Sequence, residues 1–362
     1  MSTTSGTSAN GIPNDRDHLT AQECVGGAHV EGEDHQRRER PILCEVTSST
    51  VLSSEYLAVT ETCGIVDRSE RGKLALTGSE GKSFLQGQVS NDVEALRPGT
   101  GCYATFLTPK GKMLGDIRIL DTGEELLLDT ERVALQELFN MVRRFSIGYD
   151  VQLHKRTVER GLLSLLGPKA ATVAGAEALS GAEDSHTVGE IDGVAVRAVR
   201  TDLGVDLLCE ADDTAALRDA LEARGAEPVS ETVAECVRIE RGRPRYGIDL
   251  DDSVIPQEAD LNPRAVSFTK GCYVGQETVA RLFYRGKPNR QLRGLCLSSP
   301  VATGAELMRG DRAVGRVGSV AVSPSLGPIA LALVRREAPP GSPVTVGSDE
   351  IGAVVVELPF AP

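Results

Sequence analysis

The chain has 362 residues, with 39 Lys plus Arg against 52 Asp plus Glu, no Trp and 4% aromatic residues. That length exceeds one small core and predicts two or three domains of roughly 100–200 residues each. A formal charge of −13 argues against a general nucleic-acid binder, which needs cations to neutralise phosphates, and no run approaches the ~20 apolar residues of a membrane span.

The opening MSTTSGTSAN has neither a basic nor an apolar segment, so it does not read as a signal peptide. A cytoplasmic protein is expected. Residues 1–40 are poor in apolar residues and predict a disordered tail. Within 41–150 a mixed α+β pattern follows. A helix is expected over 79–93, with Ser79 as a candidate N-cap. CYATFLTP (102–109) and KMLGDIRIL (112–120) form two apolar runs around Pro-Lys-Gly, a hairpin signature. Thr130 is placed to cap a helix reaching Phe145, with Leu135, Leu138, Phe139 and Val142 on one face.

Residues 151–229 read β-α-β-β-α-β, the order of a ferredoxin-like unit. Thr232 and Glu235 have capping-box spacing at the start of the next helix. Residues 245–290 are dense in Gly, Pro and charge. From 288 to 362 short strands split by Gly and Pro predict a small β-barrel. The eight cysteines, at 24, 44, 63, 102, 209, 236, 272 and 296, include no CxxC pair and no zinc spacing, so no metal site is expected and reduced thiols are.

The chemistry concentrates between Arg238 and Arg293. Eleven Lys/Arg and seven Asp/Glu give this segment a charge of +4 inside a −13 chain, a local field suited to a modest anion. Its sharpest feature is Lys270-Gly271-Cys272-Tyr273-Val274-Gly275-Gln276-Glu277. A helix starting after Gly275 would aim its first N–H groups back toward Cys272. With Lys270, Arg281 and Arg285 nearby, the thiolate of Cys272 would be favoured.

LQGQVSNDV (85–93), RIERGRP with YGIDL, IPQEA (255–259) and above all KGCYVGQE with VAR-x-x-YRG resemble the YgfZ-like proteins. These are folate-binding relatives of the glycine-cleavage T-protein, linked to iron–sulfur cluster assembly or repair and also described as tRNA-modifying. The resemblance covers about residues 45–362. It implies an α+β, three-domain, T-protein-like cloverleaf with a C-terminal β-barrel around a central channel for tetrahydrofolate. It also implies that the 41–150 domain is discontinuous and completed by 230–287.

A pterin presents an amino group and a ring N–H side by side, which one carboxylate can accept together. Glu258 and Asp202 are the candidates, since Arg-Thr-Asp-Leu-Gly (200–204) loosely resembles the T-protein TGE-x-G turn. Arg281, Arg285, Arg290 or Arg245 could meet the anionic folate tail. Tyr273, Gln276 and Glu277 join the cofactor-binding candidates, and Gln86, Gln88, Asn91 and Asp92 are expected on the folate side of the fold. T-proteins carry an Asp-Asp-Leu-type sequence where this chain reads Leu114-Gly115-Asp116-Ile117, so one acidic position remains.

Three readings follow. The first is a tetrahydrofolate-binding factor serving iron–sulfur client proteins, with Cys272 as the working thiol, in transient contact with iron or a cluster, and Lys270 tuning it. The second is a folate-dependent aminomethyltransferase that uses Asp116. The third is a non-enzymatic folate-sensing scaffold. No basic-aromatic platform for RNA stands out in the sequence.

Overall fold

The computed structural model describes residues 53–179 and 181–360. The expected tail over 1–40 lies outside them, as do Cys24 and Cys44. Helix α1 (Ser54–Glu61) is capped by the Ser53 hydroxyl, which accepts from the Tyr56 N–H at 3.2 Å. It leads into β1 (Gly64–Asp67) and β2 (Gly72–Thr77). Next come α2 (Gly81–Gln86), β3 (Thr100–Leu107), β4 (Met113–Asp121), β5 (Leu126–Thr130), α3 (Leu135–Phe145) and β6 (Gln152–Lys155).

The middle of the chain holds β7 (Arg160–Leu166), α4 (Ala170–Val173), β8 (His186–Ile191), β9 (Val194–Arg200), β10 (Gly204–Glu210), α5 (Thr214–Ala223) and the short β11 (Glu227–Pro228). Helices α6 (Glu231–Glu240), α7 (Asn262–Ala265) and α8 (Gln276–Arg285) follow. The last third supplies β12 (Arg290–Leu297), β13 (Glu306–Arg309), β14 (Arg312–Ser323), β15 (Gly327–Arg335), β16 (Pro343–Val346) and β17 (Ile351–Val356).

Three β units result. One sheet has the order β3-β4-β5-β2-β6. A second has the order β11-β1-β7-β10-β9-β8, so β1 leaves its sequence neighbours to pair with β7. The last six strands close into a barrel, as expected. The two open sheets pack face to face through Ala75, Leu120 and Leu127 on one side and Leu162, Val199 and Leu208 on the other. Each large aliphatic buried there contributes roughly 1.5–3 kcal/mol. The segment 250–279 adds Leu250, Val254, Ala265, Tyr273 and Val279 to a core with Leu107 and Met113 of the β3–β4 hairpin.

The barrel is docked by α6. Ile239 packs on Leu292, Ile329, Leu331 and Phe360. Beside it the Arg238 guanidinium donates to Asp249 (3.1 Å) and to the Ser319 hydroxyl (2.6 Å). Asp249 also accepts from the Ser319 N–H at 2.7 Å. The approach is so close that a Cβ at Gly318 would lie 2.3 Å from an Asp249 oxygen.

Four local expectations are corrected. The 79–93 helix shrinks to Gly81–Gln86, and Ser79 bonds Asp150 rather than capping it. Thr130 ends β5 and donates its hydroxyl to the Asp116 carbonyl, so the following helix starts without it. Ser230, not Thr232, is the N-cap residue of α6, and Glu235 turns to Arg238 and Arg245. Cys296 is disulfide-bonded, against the expectation of reduced thiols. Among the described residues no helix is long and apolar enough to cross a membrane.

Candidate functional site

Between the two packed sheets lies a cavity of about 180 Å³ that Asp116, Tyr103, Asp184, Asp202 and Arg245 help to line. Sequence position alone separates these residues widely. Asp116 comes from β4, Tyr103 from the neighbouring β3, and Asp202 from the β9–β10 turn of the opposite sheet. The antiparallel register sets Tyr103 beside Asp116, and its hydroxyl donates to the carboxylate at 2.6 Å. Asp116 is 6% exposed. Burial pushes its carboxyl up to about 6, although the Tyr103 hydroxyl pulls the other way.

The cavity walls are ion pairs that span the sheets. Arg118 on β4 reaches Asp129 on β5 at 2.5 Å and Asp206 on β10 at 2.6 Å. Asp206 also accepts from the Ser164 hydroxyl at 2.6 Å. Burial alone would raise Asp129, but the Arg71 and Arg118 cations beside it hold it below its ordinary value. Asp202 pairs with Arg243 at 2.5 Å. Arg245 bonds Glu131, Glu231 and Glu235, so it is not free for an anionic tail. A second cavity of about 410 Å³ shares Thr201, Asp202 and Leu203 with the first.

The KGCYVGQE residues lie elsewhere. Gly275, with φ +85°, is the N-cap position of α8, and a Cβ there would come within 2.6 Å of the Thr108 carbonyl. The loop is thus pressed onto the β3–β4 turn. Lys270 is buried and donates to the carbonyls of Gln86, Val89 and Asn91 at 2.6, 2.7 and 2.8 Å, with the Tyr273 ring 5.1 Å away. Its ammonium organises the 86–91 turn. Burial pushes Lys270 down to about 8 and Tyr273 up to about 12. Cys272 is exposed, as are Glu277, Arg281 and Arg285, and Gln276 opens the first turn of α8.

Glu258 is buried in a different place. Its carboxylate accepts from the Ile255 N–H at 2.9 Å, and it pairs with Arg290 at 3.0 Å. It lines a cavity of about 660 Å³ against the barrel. Gln86, Asn91 and Asp92 are spent on their own turn: Gln86 accepts from Val93 N–H at 2.7 Å and donates to Asp92 at 3.0 Å. Asn91 bridges the carbonyls of Tyr103 and Arg264. The Gln88 side-chain oxygen is buried without a partner.

The GCVT N-terminal domain matches residues 28–270, and the glycine cleavage T-protein C-terminal barrel domain matches residues 290–361. The chain belongs to the GCVT family. Over 299 residues this GCVT chain is 29% identical to an aminomethyltransferase of Deinococcus deserti, covering 78% of this chain and 80% of that one. Over 330 residues it is 29% identical to an aminomethyltransferase of Thermus thermophilus, covering 86% and 91%. A chloroplastic Arabidopsis thaliana protein, named provisionally as a transferase, is 28% identical over 82% of this chain and 71% of its own. The crystal structure of glycine cleavage system aminomethyltransferase T from Bartonella henselae superposes with a TM-score of 0.75 at 24% identity, over 85% of this chain and 88% of that one. The fold is that of the T-protein, with its closed six-stranded C-terminal barrel.

Two groupings of this GCVT chain escape a reading of its sequence. Asp184 enters the central cavity from the loop before β8, where Ala-Glu-Asp-Ser looks like any surface turn. Phe268 stacks on Phe283 with ring centroids 3.9 Å apart, Tyr284 packs edge-on, and the latter two are exposed beside Arg281 and Arg285. Among the described residues no group of three or more His, Cys, Asp or Glu is gathered to hold a metal ion.

Proposed function

We propose that this chain binds tetrahydrofolate in the central cavity and carries out folate-dependent one-carbon transfer of the aminomethyltransferase type. One observation carries the reading: Asp116, buried in the cavity and held by Tyr103, is poised near neutrality with its carboxyl at about 6. A folate nitrogen that attacks an aminomethyl carbon loses a proton, and a carboxylate within reach of it can take that proton. A cavity of about 180 Å³ falls below the roughly 300–1,000 Å³ of sites that enclose a whole drug-sized ligand. It suits the bicyclic head, and the neighbouring 410 Å³ cavity behind Asp202 offers room for the rest. The names of the bacterial relatives agree with this reading.

The test has two arms. Tetrahydrofolate at about 100 times its Kd should stabilise the protein by about 2.7 kcal/mol, read as a raised Tm. The absence of any shift at saturation defeats the folate reading. Glycine-cleavage turnover with an aminomethyl-loaded lipoyl carrier protein should be seen in the wild type and lost in Asp116→Asn. Folate binding without turnover would point to the sensing scaffold instead.

A second reading is favoured by Cys272. In a YgfZ-like factor for iron–sulfur cluster assembly or repair, the exposed thiol of KGCYVGQE would touch iron, sulfur or a cluster in transit as cargo. What supports it is the motif and the exposure of the thiol outside the cavity. Complementation of a cluster-dependent enzyme should then fail with Cys272→Ser and survive Asp116→Asn, the reverse of the transferase pattern.

A further inference from the structure

Among the described residues, Tyr103 is the only side chain that donates to the Asp116 carboxylate. Whatever holds the Tyr103 ring therefore governs that contact. The ring is gripped from a distant part of the chain. Arg264, in the last turn of α7, lays its guanidinium over the ring, with the central carbon 4.9 Å from the centroid. A planar guanidinium can stack on an aromatic face while its edge holds a carboxylate. Glu183, in the loop before β8, takes that edge, accepting from Arg264 Nε at 3.1 Å and also from Nη2. Tyr103, Arg264 and Glu183 all line the central cavity.

The backbones are tied together as well. The Asn91 side-chain amide donates to the carbonyl of Tyr103 at 2.8 Å and to that of Arg264 at 3.0 Å. Lys270 holds the Asn91 carbonyl in turn. Stack, fork and shared amide together leave the ring little freedom to leave Asp116, since groups in one connected network reinforce each other.

We propose that Arg264 is a positioning residue: clamped by Glu183, it fixes the Tyr103 ring so that the hydroxyl stays on Asp116. The proposal rests on the transferase reading, in which Asp116 takes a proton, and adds the residue that steadies it for that role. Around Asp116, burial favours the protonated form and Glu131 adds to it, while the Tyr103 hydroxyl and the Arg71 cation oppose it. Tyr246 feels the Asp116 charge from the 245–250 segment. Burial and Asp116 push the Tyr103 hydroxyl up, and Arg264 and Arg71 oppose them. Glu131 and Arg71 are the charges that act most on Asp116 itself, so Arg264 works through the ring.

The experiment follows the Asp116 carboxyl through its titration by carbon NMR in the full chain. The Asp116→Asn spectrum assigns the resonance, and melting curves check that each variant folds. Tyr103→Phe removes the donor and should raise the midpoint by about one pH unit. Arg264→Gln should raise it by at least about half a pH unit. In the Tyr103→Phe background Arg264→Gln should add nothing, because both act through one hydroxyl. Glu183→Gln gives a second route should Arg264→Gln fail to fold. It should also raise the midpoint, whereas the mere loss of a nearby negative charge would lower it. An unchanged midpoint in Arg264→Gln, a shift that adds to that of Tyr103→Phe, or a fall in Glu183→Gln overturns the proposal. None of these titrations uses folate, so this failure is separate from that of the transferase reading, which is decided by turnover.

Discussion

Asp116 is held at a cost that a titration can read. Its carboxyl is pushed from 3.8 to about 6 by burial, so the folded protein holds that proton more tightly than the unfolded chain. The stability linked to this group is complete below about 3.8 and is lost as the pH rises through about 6. At pH 8 the native carboxylate therefore costs up to about 3 kcal/mol. Asp116→Asn is expected to raise the Tm at pH 8 and to give no gain at pH 4, as measured by calorimetry. The reverse order would show that the Asp116 charge is paired rather than tolerated. Cys272 offers a second check. Cys63, Cys209 and Cys236 are buried and Cys102 half-buried, with burial pushing Cys63 up to about 11 and Cys102 and Cys236 up to about 12. Of these five free thiols, Cys272 should alkylate first in the native protein, and Cys272→Ser should leave stability within about 0.5 kcal/mol. Asp116 and Cys272 were legible as special residues because short motifs surround them. Arg264 was not, because its character comes from contacts with Tyr103 and Glu183 that no local pattern announces.

Among the elements, strands read better than helix ends. Pro-Lys-Gly between two apolar runs announces the β3–β4 hairpin, and the Gly- and Pro-punctuated runs after 290 announce the barrel strands. Caps were misread where another partner outbid the expected one: Asp150 takes Ser79, the Asp116 carbonyl takes Thr130, and Arg238 and Arg245 take Glu235. The same competition relocates Lys270. Its position two residues before Cys272 suggested electrostatic tuning, but three carbonyls of the 86–91 turn claim the ammonium. Removing it would leave those carbonyls short of a charged donor, each such bond contributing about 1.5–3 kcal/mol before the relief of burying the cation is counted. Lys270→Met is expected to lose about 2 kcal/mol in urea unfolding with an unchanged slope. A neutral result would mean the turn closes without it.

Across the whole molecule, the sequence carried the class of fold and the barrel but not the join between the sheets. That join depends on β1 crossing to pair with β7, and on Arg118 reaching from β4 to Asp206. Both are long-range events with no local signature. The barrel's seat on α6 is of the same kind. Arg238→Met would leave Asp249, 7% exposed, without its cation. Breaking a buried pair of this sort costs about 3–5 kcal/mol; the Ser319 bonds soften that here, so a loss of about 3 kcal/mol is expected, read as a lowered urea midpoint. A midpoint equal to wild type would show that Ile239 and Phe360 hold the barrel unaided.

That seat has a consequence for the integrity of the chain. Ile239, Arg238 and Asp249 grip the barrel from the side, while the covalent path runs through Gly286–Asn289, a stretch without regular structure. The peptide link there carries none of the grip. A protease nick between those residues should leave one particle in size-exclusion chromatography, its two pieces parting only in denaturant. The two lengths of chain, made as separate polypeptides, should find each other and rebuild the intact molecule.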